Sequence, residues 1–162
     1  MLAVAAVLMV IFIYSAQYLV INTRISRVKE EHRILSRALQ NYEADYSEYP
    51  STRVGLHALN GPIAYMVRVP NDPFSSGESK GYAYVRFPGT RYPWVLISRG
   101  PDGDDDFLNA LTIGHTGGAL AAGDNTDTLT VPALQMQLLL AVVAYDPTNG
   151  LKSKGDIVTA GR

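Results

Sequence analysis

Four carboxylates fall within five residues at Asp102-Gly103-Asp104-Asp105-Asp106, and this is where the residue types of the chain most suggest site chemistry. Carboxylates this close repel one another unless solvent or a cation relieves them. Hard cations such as Ca²⁺ take oxygen ligands from short Asp-rich loops. Asp102, Asp104 and Asp106 match the first three ligand positions of an EF-hand loop. The match then stops, because Phe107 stands where that loop needs Gly and Ile113 where it needs a bidentate Glu. Two readings remain: a Ca²⁺ site on Asp102, Asp104 and Asp106, or a solvated acidic turn. Asp124, Asp127, Asp146 and Asp156 are possible distant ligands, and spacing selects none of them.

Other chemistry is sparse. His32, His57 and His115 are scattered. No phosphate-cradling loop, nucleophile elbow or zinc-binding helix can be recognised, so the sequence offers no catalytic residues and no organic cofactor site. The chain has no cysteine, which rules out a disulfide framework or a thiolate metal site. The net charge of −1 gives no bulk attraction for nucleic acid, and none is expected as a partner. Arg24, Arg27, Lys29, Arg33 and Arg37 alternate with Glu30 and Glu31. This is a mixed-charge solvated face, or else a patch for phospholipid or nucleic acid.

The elements that must carry these residues begin with a long helix. No charge precedes Arg24, and no Pro or Gly precedes Pro50. The first 21 residues, taken as helix, span about 31 Å, roughly one bilayer core. Ile21, Ile25, Val28, His32, Leu35, Leu39, Tyr42 and Tyr46 follow at alternating spacings of four and three, which is one stripe on one helical face. The pattern predicts a single helix over residues 1–46, about 70 Å long, with a local melt near Ser15 to Tyr18. Residues 1–22 form an apolar half-helix suited to lipid or to other apolar helices. Residues 23–162 form a globular head that includes the amphipathic half 23–46. Leu2, Val4, Val7, Leu8, Ile11, Phe12 and Tyr18 are the side chains the apolar half would bury on assembly.

A cleaved signal peptide fits poorly, since no basic residue precedes the apolar run and the stripe continues past any cleavage point. An ordinary anchor raises a topology conflict. The flank after the apolar run is basic and the flank before it is bare, so the positive-inside rule would leave the head in the cytoplasm. A processed or shortened chain that has lost a basic leader removes the conflict.

In the head, residues 53–59 suit one or two helical turns ended by Gly61-Pro62, and 63–69 are ambiguous. Gly81–Phe87 and Arg91–Ser98 read as an antiparallel hairpin with one face on the helical stripe, Pro93 pushing the second strand toward an edge. Residues 108–130 are rich in Gly, Ala and Thr and read as an insertion of loops. Pro132 suits a helix start. Residues 133–144 read as a short apolar helix, either buried or facing a neighbour. Residues 155–160 read as a last edge strand. The fold class is α+β, a long N-terminal helix packed on a small antiparallel sheet.

Three stretches carry a resemblance. The first is the uncharged helix running into an amphipathic half. The second is Ala38-Leu39-Gln40-Asn41-Tyr42, then Tyr49-Pro50-Ser51-Thr52 and Gly55-Leu56-His57-Ala58-Leu59. The third is Pro70-Asn71-Asp72-Pro73-Phe74, Gly81-Tyr82-Ala83-Tyr84 and Gly100-Pro101-Asp102-Gly103. Together they are similar to the type IV pilin superfamily, above all to the major pseudopilins of type II secretion. The resemblance implies a structural subunit of a helical pilus or pseudopilus, assembled through its apolar helix, and not an enzyme. It implies copies of itself as partners, together with assembly-platform proteins and a prepilin peptidase. It places the chain in the bacterial inner membrane before assembly and in a periplasmic or extracellular filament afterwards. It also favours Ca²⁺ at the acidic loop. The family's usual glutamate at the fifth mature position is missing: position 5 is Ala5, and no Glu precedes Glu30. Either a preceding segment holds it or this is a variant without it. A different class of function is a monomeric, membrane-anchored binding module with a calcium-dependent loop.

Overall fold

A computed structural model of the chain describes residues 2–75, 80–113, 133–142, 144–146 and 155–161. Its first element is a helix, α1, spanning Leu2–Tyr46. It contains no Gly or Pro to interrupt the hydrogen-bond ladder. The helix runs unbroken through Ser15 to Tyr18, where the sequence suggested a melt. Ser15 Oγ donates to the Ile11 carbonyl at 2.9 Å, and Thr23 Oγ1 donates to the Leu19 carbonyl at 2.8 Å. These hydroxyls are satisfied one turn back and do not compete for another backbone conformation. The helix stops with Ser47 in the left-handed region (φ 58°), its amide donating to the Glu43 carbonyl at 2.7 Å.

The predicted stripe faces the core. Ile25, Val28, His32, Leu35 and Leu39 are buried, and Ile21 and Tyr42 pack against the same cluster. Tyr46, at the helix end, is exposed and stacks on Tyr42 with ring centroids 4.5 Å apart. The motif after the helix belongs to the sheet edge. Tyr84 OH donates to the Pro50 carbonyl at 2.9 Å, and the Arg86 amide donates to Thr52 Oγ1 at 2.9 Å. A 3₁₀ helix, Gly55–Asn60, then places Leu56 and Leu59 under α1.

The sheet has three antiparallel strands in the order β1 (Ala83–Arg86), β2 (Trp94–Ser98) and β3 (Ile157–Ala160). Sequence reasoning put the start of the second strand near an edge because of Pro93. The structure makes β2 the central strand. Pro93 lies just outside it, where only its carbonyl is needed, accepting from the Phe87 amide at 2.9 Å. All five β2 residues are buried, as a central strand covered on both faces requires. Tyr82, Tyr84, Trp94, Leu96 and Ile157 face α1. Val85, Phe87, Val95 and Ile97 face the other way, onto Phe107 and Met136.

That second face is covered by two short helices. α2 spans Asp106–Ile113 and α3 spans Ala133–Val142. The first corrects the expectation of loops over 108–130, at least as far as residue 113; the remainder, like Pro132, lies outside the described residues. The reason α2 forms is local. The Asp105 carbonyl accepts the Asn109 amide at 3.0 Å, Asp106 sits in the first turn where negative charge is favoured, and Phe107 is wholly buried. α3 buries Met136 and leaves Leu138 57% exposed, so it is neither fully buried nor fully free.

Candidate functional site

Two regions remain after the core is assembled. The first is the N-terminal half of α1. Val4, Val7, Leu8, Ile11 and Tyr18 are exposed, and Phe12 is 73% exposed. Leu2 lies in the helix, with its side chain outside the described residues. Exposed apolar side chains surround the axis here and do not form a single stripe, so one flat partner surface cannot cover them. By length and composition α1 is able to cross a membrane, and its apolar stretch is almost wholly unburied within the chain. The apolar half therefore contacts almost nothing of its own head.

The second region is the acidic loop. Its Gly100 has φ 69°, and a Cβ there would lie 2.5 Å from the Gly155 carbonyl oxygen. Only glycine permits this approach, which brings the loop against the chain entering β3. Asp102 Oδ2 accepts the Gly155 amide at 3.1 Å, and Asp156 Oδ2 accepts the Phe107 amide at 2.7 Å. Asp105 pairs with Arg99 Nε at 2.8 Å. Asp102 and Asp106 are half-buried, Asp104 is exposed, and Asp156 is wholly buried. Of the four distant carboxylates that spacing could not separate, Asp156 meets the loop. Asp146 is exposed, and Asp124 and Asp127 lie outside the described residues.

The electrostatics of this corner are unfavourable as it stands. Burial, and then the charges of Asp106, Asp105 and Asp102, push the Asp156 carboxyl up to about 7. Asp156 Oδ1 and Asp102 Oδ1 are buried without a hydrogen-bond partner. Such orphaned oxygens fit a bound cation. Yet no three His, Asp or Glu side chains gather as a metal-binding group among the described residues, so backbone carbonyls would have to complete a shell.

The Asp72-Pro73 turn is structural. Asp72 is buried and accepts from the Phe74 amide (2.9 Å), Ser98 Oγ (2.9 Å) and the Arg99 amide (3.1 Å). It ties the turn to the end of β2. Of the histidines, His57 is exposed and His115 is outside the described residues. His32 lies in the seam between α1 and the sheet, 1% exposed. Its Nδ1 shares a hydrogen bond with Thr159 Oγ1 at 2.9 Å, and its ring meets the Tyr82 ring edge-on at 4.9 Å. The Tyr82 hydroxyl in turn donates to Glu31.

Burial pulls His32 down from 6.5 to about 4. Protonation therefore favours the unfolded chain. The stability His32 contributes is complete above about 6.5 and is lost as pH falls toward 4. Asp156, raised above its ordinary value, pulls the opposite way: its contribution is lost as pH rises toward 7. Comparison with His32→Gln isolates the histidine. From pH 7 to pH 4 the wild type should lose on the order of 3 kcal/mol relative to the variant. Denaturant melts at the two pH values measure this, and a constant difference would mean that His32 titrates normally.

A family model described as type II secretion system protein G matches residues 21–110, more than half of the chain. The match begins at the buried stripe of α1 and runs through the hairpin and the acidic loop into α2. No curated protein and no solved structure matches the chain.

Proposed function

The chain belongs to the type II secretion system protein G family, and from that membership we propose that it is a filament subunit whose apolar N-terminal half-helices bundle into the core of a pseudopilus. The family supplies the coarse role, a structural pseudopilin. The finer reading rests mainly on one observation: a long apolar half-helix, exposed all around, continuous with a helix that is locked into the head. Such a surface must be buried in lipid or in copies of itself. Packing one subunit type head to tail without a closing rotation yields an open helical fibre. In this reading the chain waits in the inner membrane, with the head on the outer side, and passes into a periplasmic filament. Assembly-platform proteins and a prepilin peptidase are the partners such a route requires. Electron microscopy of sheared or detergent-depleted full-length protein tests the reading. Filaments are the expected result, and detergent-soluble monomer under every condition would favour an anchored binding module instead.

The reading extends to Ca²⁺ at the acidic loop. It is supported by the orphaned oxygens of Asp102 and Asp156 and by the mutual repulsion around them. These two carboxylates would hold the ion. The sequence-derived partners Asp104 and Asp106 follow Asp102 two and four residues later in the chain. A bound cation supplies charge neutralisation and pins the loop to the β3 entry. It stabilises the folded chain by mass action, about 2.7 kcal/mol at a hundredfold excess over Kd. Chelation should therefore lower the melting temperature of the detergent-solubilised chain. Asp156→Asn should abolish that response, and Mg²⁺ should substitute poorly because it demands a tighter octahedral shell. An unchanged melting temperature on chelation would leave a solvated acidic turn.

A further inference from the structure

Lys29, Arg33 and Arg37 follow one another at i, i+4 spacing, so they form a single basic row along α1. All three are exposed, and the row starts beside the buried stripe at Lys29 and winds away from it toward Arg37. Like charges at this spacing oppose helix formation. The chain does little to relieve them. Arg33 reaches Glu30 at 3.3 Å in a pair that is largely solvated on both sides, and no carboxylate pairs with Lys29 or Arg37 among the described residues. At the other extreme of charge stands the 102–106 loop, where four carboxylates have one basic partner, Arg99, among the described residues. Asp104 is its exposed member, and it is not one of the two carboxylates, Asp102 and Asp156, assigned to the cation above. No ion pair joins row and loop within one chain among the described residues.

We infer that the basic row of α1 docks against the acidic loop of a second copy of this chain, with Asp104 as the outermost contact. The inference rests on the filament reading above and gives it a specific lateral contact. Charge complementarity selects the partner, and geometry disfavours a lipid surface. Lys29, Arg33 and Arg37 lie about 12, 18 and 24 Å along the helix beyond Ile21, where the apolar half ends. The headgroup layer is only about 5–8 Å deep, and salt screens charges beyond about 8 Å. The upper two members of the row stand clear of both. The row and the loop are different surfaces, so each copy offers one to its neighbour below and the other to its neighbour above. Such a heterologous contact propagates instead of closing. It also fixes stagger, because a row with a repeat of one helical turn pairs with a short acidic loop only at defined heights.

The absence of native cysteine makes a direct test available. Arg33→Cys and Asp104→Cys are placed in the same full-length chain, filaments are assembled, and a short thiol-specific cross-linker is added. A ladder of covalent multimers is expected from filaments and not from detergent monomers, while each single-cysteine variant gives no ladder. In parallel, Arg33→Glu should cut filament yield roughly tenfold at low salt, and adding Asp104→Lys in the same chain should restore it. If filaments form but cysteine at 29, 33 or 37 never cross-links to 104, and charge reversal leaves yield unchanged, the contact is refuted and the subunit reading stands. If charge reversal instead abolishes binding to vesicles rich in anionic phospholipid while filaments persist, the row is a lipid contact and the inference fails. If wild-type protein forms no filaments at all, the subunit reading fails and the contact with it.

Discussion

A chain lacking residues 1–22 is expected to be a folded, water-soluble monomer that forms no filaments at any concentration. The described side chains from Val4 to Val20 are exposed, and the core of the head begins at Ile21 and Ile25. Among the described residues, removing the segment deletes little of the packed head beyond the partial packing of Ile21, half-buried Asn22 and the approach of Tyr18 to Tyr145. It does delete the surface that the proposed filament would bury. Each large apolar side chain buried in a filament core contributes about 1.5–3 kcal/mol, and the deleted stretch holds most of the exposed large apolar side chains among the described residues. No head contact replaces a driving force of that size. Light scattering and sedimentation measure the first half of the expectation, and circular dichroism melts the second. Polymers of the truncated chain would move assembly to the head, and an unfolded truncate would show that the apolar half stabilises the fold.

Leu39→Asp should unfold the head at room temperature. Leu39 is 0% exposed and shares its core cluster with Leu35, Leu59, Tyr84, Trp94 and Leu96. Truncating such a leucine costs about 2–5 kcal/mol through lost burial and a residual cavity. An aspartate adds the cost of a buried polar group with no partner, a further few kcal/mol even if it takes up a proton. The sum is comparable to the whole stability of a small domain, about 5–15 kcal/mol. Ile34→Asp is the control. Ile34 is on the same helix but 46% exposed, so the same chemical change should shift stability by no more than about 0.5 kcal/mol. Equal melting temperatures for Leu39→Asp and wild type would mean that the stripe does not face the core.

The contrast between these two substitutions was legible in the sequence, because helix periodicity is a local property. Leu39 falls on the stripe that starts at Ile21, and Ile34 falls off it. The hairpin was legible for the same reason, its apolar and aromatic residues alternating between turn signals. Asp105 and Asp106 before Phe107 were a start signal for α2. The Gly- and Ala-rich stretch beyond hid it.

Neighbouring residues alone set the local elements and the division of labour along α1. Lipid-like composition comes first, then one core-facing stripe, each fixed by the order of neighbouring residues. That β2 is the central strand follows from long-range pairing, since its second neighbour, β3, lies some sixty residues away in the chain. The same return of the chain places α2 and α3 over the second sheet face, brings His32 to Thr159, and sets Asp156 behind Asp102. Contacts between residues so far apart leave no periodic trace. They arise because a sheet apolar on both faces must be covered twice, and the returning C-terminal segment supplies its third strand and part of that cover.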